Sequence, residues 1–358
     1  MTLRERAKPV PIAVWDTGVD TALFKRQLLL AKGKLVFKAY DKFGRPSDSA
    51  LLPVPPELQA QLGRAGARIK GFSDLQSNTD SAEASEVKRW LSALAPAQYT
   101  AAVEELGLGG NYTHGTHVAG IALAGNPYAR LVVGRLEFNH KLKPEPCPSL
   151  EGAERDAAAA RSTVAFFKAH KVRVVNMSWG GDVGSIENEL EQCGLGKTGE
   201  ERKATAREYF EIGRRALTEA FAAAPEILFI TAAGNSNNDP SFVEDIPAAI
   251  VLPNLLTVGA VDLAGDEAGF TSYGATVKVH ANGYQVVSYL PGGQRVALSG
   301  TSTAAPQVAN LAAKLLALKP RLRPEGVIRL IVSTSDISAD GRRTLMHPRK
   351  ARQALLGT

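Results

Sequence analysis

The fold class follows first from residues 11–18, PIAVWDTG, near the start of the chain. The run from 11 to 15 is short and apolar, which is typical of a β-strand. It leads directly into Asp16, Thr17 and Gly18. We therefore predict a strand that carries a carboxylate at its end, where the strand gives the acid rigid support.

Further short β-branched runs recur along the chain, and long helical patterns separate them. The strand-like runs cover residues 131–136, 172–177, 227–232 and 255–261, and the helical patterns cover 151–170 and 200–224. Strands that alternate with helices indicate a mostly parallel sheet. The predicted fold class is therefore α/β, with three layers in which helices cover both faces of a central sheet.

Residues 21–110 differ in character from the alternating pattern around them. They include a proline-rich piece at 52–56, a predicted helix near 85–95 and another after Pro96. A domain has about 150 residues on average, but α/β folds often exceed that size as one unit. We predict a single domain over residues 1–358, in which 21–110 is an insertion or subdomain carried on the sheet.

The composition excludes several classes of protein. Hydrophobic residues are 44% and charged residues 22% of the 358 residues, which excludes a wholly disordered chain. The net charge of +6 is modest, the basic residues are scattered and aromatic residues are only 6%, so the pattern does not favour nucleic-acid binding. No stretch reaches the ~18 apolar residues that a membrane span needs.

Two cysteines, Cys147 and Cys193, occur in the whole chain. They give neither a disulfide framework nor the spacing of zinc ligands. We expect free thiols in loops, and a disulfide between the two is the alternative. The residues before Asp16 also lack the apolar run of a secretory signal. Together these features predict a reducing compartment, the cytoplasm.

Three short segments carry the residue types that nucleophilic catalysis needs, namely residues 16–18 (DTG), 114–120 (HGTHVAG) and 300–306 (GTSTAAP). A serine hydroxyl is a weak nucleophile near neutral pH and needs a base to accept its proton. An imidazole can be that base when a carboxylate orients it. Asp16, His114 and Ser302 are the candidates for these three roles.

His114 and Ser302 are each followed by apolar positions at helical spacing, so each is predicted to open a helix. A helix N-terminus leaves N–H groups free beside Ser302, which suits a developing oxyanion. A fourth segment, residues 231–235 (TAAGN), follows a predicted strand. The amide of Asn235 could donate a hydrogen bond to that oxyanion. Taken alone, Asn235 could also be a turn residue.

These segments resemble those of a known family, the subtilisin-like serine proteases or subtilases. The hallmark segments of that family are D-T/S-G, H-G-T-H-V-A-G, A-A-G-N and G-T-S-x-A-x-P, and all four occur here in that order. The resemblance extends to residues 175–181 (VNMSWGG), 270–274 (FTSYG) and 281–283 (ANG). It covers about residues 11–20 and 111–354, and it implies a subtilisin-like fold.

The resemblance implies a role for each matching residue. Asp16 is similar to the triad acid of the family, His114 to its general base, Ser302 to its nucleophile and Asn235 to its oxyanion donor. A second set is similar to the substrate-binding residues of the family and consists of Ser178, Trp179, Gly180, Ala232, Ala233 and Gly234. The first three would pair with an extended peptide as an added strand. The last three would line the primary specificity pocket.

By this resemblance, the expected activity is hydrolysis of peptide or protein substrates by a serine endopeptidase, through an acyl-enzyme. That chemistry requires no cofactor and no catalytic metal. The structural calcium sites of the family do not map onto this sequence, so calcium stays open. Trp179 stands where Leu is common, and the segment between Asp16 and His114 is much longer than usual. The sequence does not indicate an oligomeric state.

Three other functions can be weighed against the same sequence. A binding or regulatory protein on a subtilase scaffold would explain the long insertion, although all four catalytic segments are intact. An enzyme that passes its acyl group to an amine, as in peptide cyclisation, would use the same residues, and the insertion would shield the intermediate. An aspartic protease would explain only the DTG segment and would leave the histidine and serine segments unexplained.

Overall fold

A nine-stranded sheet runs through the centre of the protein, in a computed structural model that describes residues 7–357. The strands of this sheet and of two small antiparallel pairs are, in chain order, β1 (Val10–Asp16), β2 (Leu30–Ala31), β3 (Lys34–Leu35), β4 (Phe37–Ala39), β5 (Ala129–Arg135), β6 (Val174–Met177), β7 (Leu228–Ala232), β8 (Leu255–Val261), β9 (Val277–Asn282), β10 (Val286–Tyr289), β11 (Arg295–Leu298), β12 (Asp336–Ile337) and β13 (Thr344–Leu345). The order across the nine-stranded sheet is β4-β5-β1-β6-β7-β8-β9-β13-β12. Among the neighbouring strands of this sheet that the structure describes, only β12 and β13 run antiparallel to each other.

The strand β1 lies in the interior of the sheet and pairs with β5 on one side and β6 on the other. Ile12 and Val14 face one layer of helices, whereas Ala13 and Trp15 face the other, and all four are buried. A parallel strand that is covered on both faces needs apolar residues at every position. This explains the continuous apolar run, and the prediction of a mostly parallel α/β sheet is confirmed.

Helices cover both faces of the sheet. They are, in chain order, α1 (Pro56–Arg64), α2 (Gly66–Gln76), α3 (Ala82–Ser92), α4 (Pro96–Leu123), α5 (Leu150–Ala169), α6 (Val183–Gln192), α7 (Gly199–Ala222), α8 (Pro240–Val243), α9 (Thr301–Leu318), α10 (Pro324–Ser333) and α11 (Pro348–Leu356), and a 3₁₀ helix covers Thr21–Gln27. The buried helix α9 and the second half of α4 pack on one face. On the other face, Phe167 of α5 packs against Trp15, and Phe221 of α7 stacks on Phe229. Within residues 7–357, none of the helices combines the length and the apolar character that a bilayer span requires.

The expectation that His114 opens a helix is wrong, because α4 begins at Pro96 and His114 lies in its interior. The glycine-rich residues 107–110 do not interrupt this helix. A Cβ on Gly109 would stand only 3.1 Å from the side chain of Ile69 in α2. The absence of a side chain there lets α2 pack closely against α4. A glycine that looks like a helix boundary in the sequence is therefore a packing position.

The segment predicted as an insertion, residues 21–110, is joined to the core at both ends. Near its start, β4 pairs with β5 at the edge of the central sheet. Its end, at residue 110, falls inside α4. Between these points, the segment packs around a small apolar cluster that includes Leu52, Leu62 and Tyr112. Its helices thus extend the layer that carries His114.

Cys147 and Cys193 form a disulfide, so the expectation of free thiols is wrong. Cys147 lies in the loop between β5 and α5, and Cys193 caps the C-terminus of α6. The two are 46 residues apart in sequence, and the fold brings their Cα atoms to 6.0 Å. Disulfides persist in oxidising environments. The cysteine count therefore no longer supports a reducing compartment.

Replacing both cysteines by alanine should lower the free energy of unfolding by about 2–4 kcal/mol, because the unfolded chain regains the freedom of a long closed loop. Chemical denaturation of the oxidised wild type and of the C147A/C193A variant measures the difference. Wild type in reductant is the matched control and should approach the variant. Equal stability of all three samples, with thiols open to alkylation before reduction, would contradict the disulfide.

Candidate active site

The predicted site residues follow three neighbouring strands of the sheet. Asp16 is the last residue of β1, Ser178 follows β6 and Asn235 follows β7. β6 lies between β1 and β7, and the three strands are parallel. The carboxyl ends of parallel strands meet at one edge of the sheet, where α/β proteins bind their ligands. The topology therefore brings together segments that are far apart in the sequence.

Asp16 and His114 form a close pair. Asp16 is completely buried, and its Oδ1 lies 2.7 Å from Nδ1 of His114. The same Oδ1 accepts the backbone N–H of Thr17 at 2.8 Å, and the Thr17 hydroxyl accepts the N–H of Gly115 at 3.0 Å. A Cβ on Gly115 would stand 2.3 Å from the carbonyl oxygen of Gly18. Glycine at 115 therefore lets α4 touch the end of β1.

The environment of His114 favours its charged form. Burial lowers the pKa of His114, but the charge of Asp16 and the hydrogen bond to it outweigh burial and raise that pKa above its ordinary value of 6.5. His117, one turn further along α4, is different. Its Nε2 lies 3.0 Å from the carbonyl oxygen of Val296, and burial, with the charge of His114 adding to it, lowers its pKa to about 4. His117 is therefore neutral near pH 7.

Replacing Asp16 by Asn should lower the pKa of His114 from above 6.5 to below it. The substitution removes the charge that raises this pKa, whereas the burial that lowers it stays. A pH titration of the histidine ring carbons by NMR, in wild type and D16N, measures the shift. His117 is an internal control and should keep its low pKa. An unchanged His114 pKa in D16N would contradict the assigned pairing.

Ser302 and Asn235 share the space in front of Gly300. Ser302 is the second residue of α9. Gly300 has φ of 149°, and a Cβ there would stand 3.0 Å from Ser302 Oγ and 3.2 Å from Asn235 Nδ2. Asn235 Oδ1 accepts both the N–H and the hydroxyl of Thr301, at 2.8 and 2.9 Å. These bonds fix the orientation of the amide, and its Nδ2 and Ser302 Oγ both border the space at Gly300.

The helix that carries Ser302 has a missing hydrogen bond, and Ser178 replaces it. Pro306 lies in α9 four residues after Ser302 and has no N–H to donate to the Ser302 carbonyl. The Ser178 hydroxyl donates to that carbonyl oxygen at 3.0 Å and accepts a hydrogen bond from Asn176 Nδ2, also at 3.0 Å. The side chain of Ser178 thus ties the end of β6 to the first turn of α9.

Replacing Ser178 by Ala should lower the free energy of unfolding by about 1–3 kcal/mol, because partly buried polar groups lose their partner. Replacing Pro306 by Ala supplies an N–H for the Ser302 carbonyl, so the loss should be smaller in the P306A background. Denaturation of wild type, both single variants and the double variant measures the coupling. Full additivity of the two substitutions would contradict this account.

Two cavities meet at residues 178–180, which line both of them. The larger, of about 600 Å³, includes His114 in its lining, and the smaller, of about 250 Å³, includes Ser302. The structure thus brings His114 together with Asp16, and Ser302 together with Asn235. Nδ1 of His114 bonds to Asp16, and among the described residues no hydrogen bond joins the other ring nitrogen, Nε2, to Ser302.

Trp179, which stands where the family commonly has Leu, forms a wall common to both cavities. Its Nε1 donates to the carbonyl oxygen of Trp15 at 2.7 Å. The two indole rings also pack edge to face, with their centroids 5.2 Å apart. Because Trp15 precedes Asp16 in β1, this contact fixes the wall of the cavities to the strand that carries the acid.

The three residues predicted to line the specificity pocket do not all do so. Ala232 and Gly234 line the smaller cavity. Ala233 is completely buried, and its N–H donates to the carbonyl oxygen of Val258 at 2.9 Å. It continues the pairing of β7 with β8, and its side chain is closed off from the cavity.

Two groups of cavity residues were not predicted from the sequence. Side chains from the helical segment line the larger cavity beside His114, among them Ile69, Phe72 and Leu106. Asp245 lines the smaller cavity beside Ser302. None of these residues lies in a recognisable motif, so only their position in the fold reveals them. Within residues 7–357, no three His, Cys, Asp or Glu side chains cluster as metal ligands.

This fold and this set of residues define a class of protein, the α/β proteins that carry an Asp–His pair and a serine at the N-terminus of a helix. A sequence model of the subtilase family matches residues 7–353, which is nearly the whole chain. The chain therefore belongs to the subtilase family, as the four motifs indicated.

The individual curated relatives match only part of this chain. Subtilisin-like protease 6 of Trichophyton schoenleinii is 32% identical over 212 residues, which are 57% of this chain and 44% of that protein. The chain thus spans less than half the length of the curated relatives it matches. Two solved structures share the fold at low sequence identity. The self-cleaved protease domain of PatA has a TM-score of 0.54 at 20% identity, with 98% of both chains covered. The PatG macrocyclase in complex with peptide has a TM-score of 0.58 at 17% sequence identity, with 99% of this chain and 95% of that chain covered.

Proposed function

We propose that this subtilase is a serine endopeptidase that cleaves peptide bonds through an acyl-enzyme on Ser302. The observation that carries the proposal is the close pair of Asp16 Oδ1 and His114 Nδ1, 2.7 Å apart at the edge of the sheet where Ser302 and Asn235 also lie. A buried carboxylate on Nδ1 leaves Nε2 of the imidazole as the atom that can accept a proton. The subtilase sequence motifs support the same assignment.

In this mechanism, His114 accepts the proton of Ser302 as the hydroxyl oxygen attacks the scissile carbonyl. Asp16 holds the ring and stabilises the imidazolium that forms. The Asn235 amide and the backbone N–H of Ser302 donate to the oxyanion. His114 then gives its proton to the leaving amine, and water hydrolyses the acyl-enzyme. Closure of the gap between His114 and Ser302 accompanies substrate binding, since catalytic contacts are often loose without substrate.

The peptide substrate lies extended along residues 178–180, between the two cavities. The larger cavity receives substrate side chains on the His114 side. Its lining includes Ile69, Phe72 and Leu106, so the helical segment between Asp16 and His114 contributes directly to substrate binding. This placement favours a role in the cleft over a separate regulatory domain.

Transfer of the acyl group to an amine is the second candidate, because the same acyl-enzyme serves both reactions and the fold is shared with the PatG macrocyclase. Product mass separates the two reactions, since a cyclic product lacks the water that hydrolysis adds. We expect linear, hydrolysed products, because the larger cavity is open to solvent. If a linear peptide gave cyclic products, the reaction of the enzyme would be acyl transfer to an amine and not hydrolysis.

Labelling by an uncharged fluorophosphonate, followed by peptide mapping, tests the proposal. The label should appear on Ser302 in wild type and be absent from S302A, and H114A should label far more slowly. S333A, which removes an exposed serine of α10, is the matched control and should label normally. A label on another serine, or equal labelling of S302A, would contradict the proposal.

Kinetics of peptide cleavage extend the test. S302A should lower kcat by about 10⁶-fold, the size measured in subtilisin. N235A should lower kcat by about 10²–10³-fold with little change in KM, because its amide acts on the oxyanion and not on the bound peptide. An N235A variant with wild-type kcat would show instead that Asn235 is only a turn residue.

A further inference from the structure

The smaller cavity, of about 250 Å³, contains an acid that the mechanism does not use. The residues that line it include Ser302, Asn235, Ala232, Gly234, Gly180, Asp182 and Asp245. It therefore lies directly beside the proposed nucleophile and between the two segments that would hold the substrate. A substrate side chain adjacent to the scissile carbonyl would enter this cavity.

The carboxylate of Asp245 lies between the two walls of the cavity, and glycine in both walls makes room for it. A Cβ on Gly180 would stand 2.5 Å from Asp245 Oδ1. A Cβ on Gly234 would stand 3.0 Å from Asp245 Oδ2. Because both positions lack a side chain, each carboxylate oxygen reaches one wall. The acid thus forms part of the floor of the pocket.

No cation of the described residues pairs with Asp245. Within residues 7–357, the one hydrogen bond to its carboxylate comes from the N–H of Gly181, at 3.1 Å. The neighbouring Glu244 binds Arg207, so that guanidinium is already engaged. The second acid of the cavity, Asp182, accepts the N–H of Ser185 at the start of α6. Among the described residues that line the cavity, Asp182 and Asp245 carry carboxyl groups and none carries a positive charge.

Burial raises the pKa of Asp245 to about 7; the charge of Asp182 adds to this rise, and the Gly181 N–H opposes it. Burial and the like charge of Asp182 therefore disfavour the ionised form of this carboxylate. A cation bound beside it would stabilise the ionised form and return the pKa toward its ordinary value. A guanidinium or an ammonium group satisfies that requirement, whereas an apolar side chain would leave the acid buried without a partner.

We propose that Asp245 makes the smaller cavity a pocket for arginine or lysine, so that the enzyme cleaves after a basic residue. This inference rests on the proposed function and specifies its substrate class. The basic side chain enters the cavity beside Ser302, and its charged end reaches the carboxylate of Asp245, which lies between Gly180 and Gly234. Asp182 adds to the negative potential at the same cavity.

A set of fluorogenic peptides that differ only in the residue before the scissile bond tests the inference. With arginine or lysine there, kcat/KM should be roughly 30-fold or more above that with glutamine or leucine. In D245N this ratio should fall toward one. The matched control is E208Q, which removes an exposed acid of α7 outside the cavity lining and should keep the wild-type ratio. Equal cleavage of all four peptides by wild type, or an unchanged ratio in D245N, would overturn the inference.

A second measurement needs no variant and so does not depend on the folding of D245N. Benzamidine, a small cation, should inhibit wild type competitively, and uncharged benzamide should inhibit far less. Equal effects of the two compounds would overturn the inference. Labelling of Ser302 by the uncharged fluorophosphonate distinguishes a failure of the pocket assignment from a failure of the proposed function. A labelled enzyme without basic preference would overturn only the pocket assignment, whereas an unlabelled Ser302 would overturn the proposed function and this inference with it.

Discussion

The hydrogen bond between Asp16 and His114 is the interaction on which the account of this protein depends. It joins the end of a central strand to the interior of a long helix, across 98 residues of sequence. Both partners need rigid support, and the fold supplies it. The strand is paired on both sides, and the helix meets the strand end through Thr17 and Gly115. The orientation of the imidazole is thus a property of the sheet and its packing.

The serine side of the site depends on a different constraint, the start of α9. Pro306 removes a hydrogen bond from the first turn, and Ser178 supplies another from the end of β6. Gly300 leaves space in which the Ser302 hydroxyl and the Asn235 amide lie close together. Residues 178–180 therefore both secure the nucleophile helix and line the cavities on each side of it. Support of the nucleophile and binding of the substrate share one segment.

Patterns that are local in sequence predicted well, and contacts that depend on the fold did not. The apolar runs predicted the strands because every position of a doubly covered strand is apolar, and the motifs predicted the Asp16–His114 contact. The helix after Pro96 was predicted, but its continuation through His114 was not, because glycines inside it, such as Gly109, look like a helix end in the sequence. The Cys147–Cys193 bond and the position of Asp245 depend on loops brought together in space, and no local pattern records them.

The pH dependence of inactivation by a fluorophosphonate, together with the site of the label, tests whether Asp16, His114 and Ser302 act as one catalytic unit. We expect one label, on Ser302, and an inactivation rate that rises as pH increases through the pKa of His114, which lies above 6.5. The rate rises because only the neutral imidazole can accept the serine proton. A label elsewhere, or a rate that does not change across this range, would contradict the coupling of Asp16, His114 and Ser302.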